Sequence, residues 1–507
     1  MAPSSGFALF NSYAFLLLFL PLTLLAHRLA QRFGGGRAAI ATLVLASLVF
    51  YGSWAPTGSW SPWFVAGLLA SMGVNFQLGR LIARRASEGV RQRGLLTLGV
   101  VLNLAALAWF KYANFAALTI TGERLGEIIL PLAISFVTFQ QVAYLVDASR
   151  GLAREHDVLD YMLFVSFFPQ LIAGPIVHHS EMLPQFRGEG SGGRARSGDL
   201  AIGVTLLSFG LFKKVIIADE MASIATPLFN QARDGGDLST PLAWTAALAY
   251  TFQIYFDFSA YSDMATGVAR LFGIRLPTNF DSPYKARGIV DFWRRWHITL
   301  SRFLRDYLYI PLGGNRKGPA RRYANLAITM LLGGLWHGAA WTFVFWGGLH
   351  GLYLCVNHAW SRLAKAWRLE SMPRWLRAVG GLGAWLLTFI CVVVAWVFFR
   401  AEGFDAAWSM LASMSAVGEA GWTPPENPRT TALLLGAALV ACVALPNGLE
   451  LVGRFGPTVD WAERGGLERR PWCRWSPDWF WAILSATLLG VAFVHLSRPS
   501  EFIYWQF

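Results

Sequence analysis

The sequence predicts an all-α polytopic membrane protein, with about eleven or twelve spans that include re-entrant or broken helices and interfacial amphipathic helices. Three observations predict it. The 507 residues are 55% hydrophobic and only 14% charged, where a soluble protein carries about 25% charge. Apolar runs close to the roughly 20 residues needed to cross a bilayer recur from end to end. These runs lack the period-two alternation of barrel strands, and helices are the other architecture a bilayer admits.

The spans follow in order. Phe7–Ala26 is the first; it has no basic leader and continues into His27-Arg28, so it is expected to stay as an anchored helix. Ala38–Trp54, Trp60–Leu78 and Leu95–Phe115 come next. Basic residues fall in alternate connections, placing the N-terminus outside and the basic loops in the cytoplasm. Ile128–Val146 carries Gln140 and Gln141, a polar pair expected to face other helices. Pro169, Gly174 and Pro175 interrupt the following apolar run, which is expected to dip in and return. Its polar continuation to Asp199, rich in Gly, Ser and Arg, is the linker candidate, and His178 and His179 at its edge are expected to be structural.

Leu200–Asp219 is a span interrupted by Lys213-Lys214, and Leu242–Phe272 carries Gln253, Asp257, Ser259, Ser262 and Asp263, too polar for a lipid face. Asp257 and Asp263 are candidates to orient a base or to pair with basic residues. Asn325–Leu354 is expected to be a hairpin of two half-helices, because the basic residues after it return the chain to the cytoplasm. Gly333-Gly334 and Gly338 are the candidate breaking points. Leu382–Phe399, Thr431–Pro446 and Trp479–Leu496 complete the set, with Arg400–Arg429 an outer loop and Asn447–Asp478 an inner one. The chain is read as one membrane domain over 1–507: N-terminal spans in 1–127, a core in 128–355 and C-terminal spans in 356–507.

The formal charge of +13 does not indicate nucleic acid. Between Gly273 and Ala324 eleven basic residues face three acids, leaving +8 in one segment beside the membrane. That concentration fits the positive-inside rule and contact with anionic membrane lipids, and equally a phosphate-bearing substrate from the cytoplasm. The four cysteines are scattered without ligand spacing, so no metal site and no disulfide framework are expected.

Two histidines stand out. His297 lies in DFWRRWHITLSRFLRDY, where Trp293, Trp296, Leu300, Phe303, Leu304 and Tyr307 form one apolar stripe at helical period. Arg294, Arg295, Arg302, Arg305 and Asp306 fall mostly off that stripe. This predicts one amphipathic helix in the interface, with His297 on its inward face. His337 lies in LLGGLWHGAAW, and an ionisable residue within a membrane segment is a functional candidate by default. Trp336 before it excludes water, and Gly338 after it admits a close approach. A neutral histidine facing a hydroxyl is the usual general base of acyl transfer. His350 and His495 also lie in apolar segments, so location alone does not single out His337.

WRRWHITLSRFLRDYLYIPLGGNR followed by LLGGLWHGAAWTFVFWGGLHG closely resembles the membrane-bound O-acyltransferase superfamily, in particular its bacterial exopolysaccharide branch. The resemblance extends to NSYAFLLLFLPL, SFVTFQQVAYLVD, FVSFFPQLIAGPIV, FDFSAYSDMATGVARLFGIRLPTNFDSPY and the terminal FIYWQF, and so covers nearly the whole chain. It implies that His337 is the catalytic histidine, as general base or transient acyl carrier, and that His297 is the second histidine. It further implies an O-acetyltransferase of the bacterial inner membrane with no bound cofactor. Acetyl-CoA would be the cytoplasmic co-substrate, and a periplasmic SGNH-type partner would finally esterify an exopolysaccharide such as alginate or cellulose. Trp296, Trp336, Arg294, Arg295, Arg302 and Arg305 are then the expected substrate-binding residues, together with Asp257 and Asp263. Two other readings stay open: a transporter of an acyl donor or lipid-linked sugar without chemistry, and an acyltransferase acting on teichoic acid, lipid or protein.

Overall fold

A computed structural model of the chain describes residues 9–53, 61–89, 92–153, 157–186, 197–368, 371–415, 424–469, 471–498, 500 and 503. Among them the regular structure is helical throughout. Five helices are long and apolar enough to cross a membrane: α1 (Phe15–Gly52), α2 (Pro62–Ser87), α3 (Arg93–Thr121), α4 (Ser197–Arg233) and, later in the chain, Arg374–Arg400. Pro428–Val443 and Trp479–His495 are shorter apolar helices. The chain is an all-α, multi-pass membrane protein. Its backbone divides into two compact units, one of residues 1–215, 260–278 and 448–500, the other of 216–259, 279–447 and 501–507.

In the first unit, α1 holds the first two expected spans, separated where Gly35 takes a left-handed φ of 76°. The glutamine pair lies in the helix Ile134–Ser149, fully buried as expected. Gln141 Oε1 accepts from Asn75 Nδ2 at 2.6 Å and from Ser71 Oγ at 2.9 Å, and Asn103 Nδ2 donates to Asn75 Oδ1 at 2.6 Å. Buried amides need such partners, because an unpaired one costs roughly 1–3 kcal/mol. The next helix, Val158–Ser166, ends where Phe167 leaves helical geometry, two residues before Pro169. His179 Nε2 donates to Leu152 O, 3.1 Å away, and its Nδ1 sits 3.6 Å from Asp147, a structural role as expected.

One expectation changes here. The span expected to end at Asp219 runs on to Arg233, and the interruption expected at Lys213-Lys214 is a π turn over Lys213–Ala218 within the continuing helix. Lys213 Nζ reaches Asp263 at 2.8 Å, which gives a charge in an apolar helix its counter-ion. The linker expected up to Asp199 lies mostly outside the described residues.

The second unit contains the core of the candidate site. A 32-residue helix, α5 (Thr240–Leu271), contributes its residues up to Ser259 to this unit. The short helices α6 (Ile289–Trp293) and α7 (Ile298–Leu304) follow, then α8 (Gly318–His337), α9 (Trp341–Ala366) and α10 (Arg374–Arg400). Helices α8 and α9 form a hairpin that breaks at Gly338 as expected, but with 20 and 26 residues they extend beyond Asn325–Leu354 and are not half-helices. Gly333-Gly334 is not a break. It stays helical and serves close packing: a Cβ at Gly334 would collide with Phe343 O and stand 3.0 Å from Gly347 Cα. Where an outer loop was expected after Arg400, a helix occupies Phe404–Met414.

Candidate active site

The amphipathic helix expected through His297 is two helices. Helix α6 stops at Trp293, the chain turns through 294–297, and α7 starts at Ile298. His297 itself has φ 40° and ψ 55°, the left-handed region that a non-glycine residue rarely enters without being held there. Backbone pairing with an upstream segment holds it. Asp281 N donates to Arg295 O and Ile298 N donates to Asn279 O, each at 2.9 Å. Arg295 clamps the same turn, its Nε donating to Asp291 at 2.8 Å and its Nη1 to Asp281 O at 3.2 Å.

This turn carries the His297 imidazole into complete burial at 0% exposure, although its neighbour Arg294 is exposed. His297 Nδ1 lies 3.1 Å from Asn279 Oδ1. Its ring meets Phe258 edge to face at 4.7 Å and stacks on Phe280 at 6.5 Å. Burial among aromatic rings pushes its pKa down to about 3, so the imidazole is neutral.

His337 arrives from the opposite direction, as the last residue of α8 and 3% exposed. Gly338 is required next because a Cβ there would collide with the Phe343 ring. The His337 ring packs on Trp336 at 4.8 Å, on Trp346 at 5.1 Å and on Phe399 at 5.2 Å. Its centroid is 6.5 Å from that of His297. The neutral His297 and the buried His337 therefore share one aromatic box whose walls exclude water. Trp296 extends the box, parallel to Phe292 at 5.7 Å and 4.9 Å from Trp396. Behind it His350, fully buried, accepts from Trp293 Nε1 at 3.2 Å.

Of the residues singled out from sequence, His337, His297, Trp336 and Trp296 come together. The arginines are dispersed around the turn: Arg294 is exposed, Arg295 is occupied by its clamp, Arg302 is half-buried on α7, and Arg305 pairs with Asp306 at 2.7 Å. Asp257 accepts from Ile503 N at 3.1 Å, and Asp263 is taken by Lys213. Asn279, Phe258, Trp346 and Phe399 were not singled out. Only Asn279 left a trace, as a polar residue in the LPTNFDSPY run, and nothing in that run points to position 297. Among the described residues no three His, Cys, Asp or Glu side chains converge as metal ligands would.

An all-helical membrane protein with two histidines buried side by side in an aromatic box defines a class, an integral-membrane enzyme equipped for proton transfer. Comparison with known proteins gives the family. Residues 148–399 match the family model described as MBOAT, membrane-bound O-acyltransferase family. The peptidoglycan O-acetyltransferase of Helicobacter pylori is 43% identical over 437 residues, 80% of this chain and 79% of its own length. A probable alginate O-acetylase of Azotobacter vinelandii is 40% identical over 451 residues, 86% and 84% of the two chains. A teichoic acid D-alanyltransferase of Streptococcus thermophilus is 29% identical over 298 residues, 55% of this chain and 70% of its own. The chain belongs to the membrane-bound O-acyltransferase family and is an O-acyltransferase.

Proposed function

We propose that this protein takes an acetyl group from acetyl-CoA at the cytoplasmic face of the bacterial inner membrane and passes it across for O-acetylation of an extracellular polysaccharide. The relatives named for peptidoglycan and alginate support acetyl as the group and a glycan as the final acceptor. A periplasmic SGNH-type protein is the proposed recipient that esterifies the sugar.

The observation that carries this reading is the burial of His337 beside His297, 6.5 Å between ring centroids, in a box of aromatic side chains. His337 acts as general base. It takes the proton of the acceptor hydroxyl as that oxygen attacks the thioester carbonyl. The tetrahedral intermediate then collapses, the C–S bond breaks, and the imidazolium returns the proton to the departing CoA thiolate. Trp336, Trp346 and Phe399 keep water from competing as the nucleophile. Arg294, Arg295, Arg302 and Arg305, on the turn, on α7 and just after it, are the proposed contacts for CoA phosphates at the cytoplasmic mouth.

The test is transfer of radiolabelled acetyl from acetyl-CoA by membranes containing His337→Ala protein, with insertion checked by protease protection. Loss of transfer by about 100-fold or more is expected. Transfer at the wild-type rate by a correctly inserted variant would remove His337 from the mechanism.

A further inference from the structure

We infer that Asn279, anchored by Thr299, is a positioning residue that holds His297 in its Nδ1–H tautomer, so that a bare Nε2 is the atom the second histidine offers to the reaction. The inference rests on the acyl-transfer reading above and sharpens it. Asn279 Oδ1 receives three groups: Thr299 Oγ1 at 2.8 Å, Thr299 N at 3.4 Å and His297 Nδ1 at 3.1 Å. A backbone N–H can only donate, so the Asn279 atom facing Thr299 N must be the carbonyl oxygen and not the amide nitrogen. An oxygen acceptor requires hydrogen on the imidazole nitrogen it meets, and burial keeps that imidazole neutral. Its single hydrogen is therefore on Nδ1, and Nε2 carries the lone pair.

That Nε2 is buried and has no hydrogen-bond partner among the described residues. A buried acceptor left in that state is destabilised, and a substrate donor would relieve it. The chemistry that fits is a hydroxyl or thiol hydrogen. The same tautomer excludes another role. With no hydrogen on Nε2, that atom cannot donate to the oxyanion of a tetrahedral intermediate. His297 is thus a hydrogen-bond acceptor beside His337, orienting the acceptor hydroxyl whose proton His337 takes. The left-handed backbone at His297 and its pairing with the 279–281 segment place the ring where, among the described residues, Asn279 meets Nδ1.

The test uses full-length protein in lipid nanodiscs, labelled with ¹⁵N-histidine, with acetyl-CoA as the donor. Subtracting the solid-state spectrum of His297→Asn protein from that of the wild type isolates the His297 signals. A protonated Nδ1 and an unprotonated Nε2 are expected, and the opposite pattern overturns the inference. Asn279→Leu should lower kcat by about 100-fold or more with KM for acetyl-CoA little changed, and should redistribute the tautomers. Thr299→Val should produce the same changes in weaker form, and Asn279→Asp, which keeps an acceptor oxygen, should restore the Nδ1–H tautomer. An Asn279→Leu protein with wild-type kcat and an unaltered spectrum refutes the positioning role. If His297→Asn itself transfers acetyl normally, the place given to His297 in the wider mechanism fails instead, so the two failures are told apart.

Discussion

Gly334 and Gly347 face each other across the α8–α9 hairpin so closely that a Cβ on Gly347 would stand 3.1 Å from Gly334 Cα and collide with the carbonyl of Met330. Backbone, not flexible side chain, fills the space. The two helices can therefore run side by side only with glycine at both positions, as small residues allow in membrane interfaces generally. The consequence reaches the site because His337 ends α8, three residues beyond Gly334, and Trp346 precedes Gly347. Gly334→Ala should destabilise the protein by about 1–3 kcal/mol, as overpacking does. It should also lower transfer activity by displacing His337 against Trp346. Thermal unfolding in detergent together with acetyl transfer checks both effects, and unchanged unfolding would contradict this packing.

The hairpin was legible because its two signals are independent of packing detail. One is a histidine inside an apolar run, and the other is a glycine beside it with basic residues on the wrong side for a simple crossing. The turn at 294–297 was not legible. Trp293, Trp296, Leu300 and Phe303 keep helical spacing whether or not the backbone bends between them, so periodicity alone reports a continuous helix. What bends it is pairing of Arg295 with Asp281 and of Ile298 with Asn279, contacts between segments distant in the chain that no local pattern encodes. The Asp263–Lys213 pair was hidden for the same reason, since helix faces can be read from spacing but the partner a face meets cannot.

Burial of His297 predicts a pH-dependent stability. The folded pKa, about 3, lies below the ordinary value of 6.5, so in the interval between them the unfolded chain binds a proton that the folded protein does not. Stability contributed by the neutral buried ring is therefore complete above pH 6.5 and is lost as pH falls toward 3, with a slope of at most about 1.4 kcal/mol per pH unit. Unfolding of wild-type and His297→Asn protein, measured from pH 7 down to pH 4, should converge as the pH falls. Parallel curves would show that His297 titrates normally in the folded state.

Trp293→Phe isolates the indole hydrogen bond to His350. Phenylalanine keeps a ring against Phe292, Trp346 and His350, which Trp293 meets at 5.9, 5.9 and 5.2 Å, but removes the donor to His350 Nδ1. His350 Nε2 already lacks a partner among the described residues, so the substitution leaves the buried ring with neither nitrogen bonded. A loss of about 1–3 kcal/mol is expected from the orphaned acceptor. His350→Phe in the same background should recover part of it, because replacing both partners with apolar groups removes the unmatched atom. Equal stability of the single and double variants would show that the bond contributes nothing.

Asp263, a candidate for orienting the catalytic base or for pairing with a basic residue, pairs with Lys213. The two groups meet at 2.8 Å with side chains only 9% and 16% exposed. Breaking a buried pair leaves one uncompensated charge and costs about 3–5 kcal/mol, while removing both charges together is far milder. Lys213→Met and Asp263→Leu should each lower the yield of folded protein, and the double variant should recover most of it. Because neither residue takes part in the proton transfers assigned to His337 and His297, the recovered double variant should have a kcat close to wild type. A double variant that folds fully but transfers acetyl at the rate of His337→Ala protein would return Asp263 to the catalytic machinery. Folding and turnover have to be measured on the same preparation, since the single variants lose both together and cannot separate the two roles.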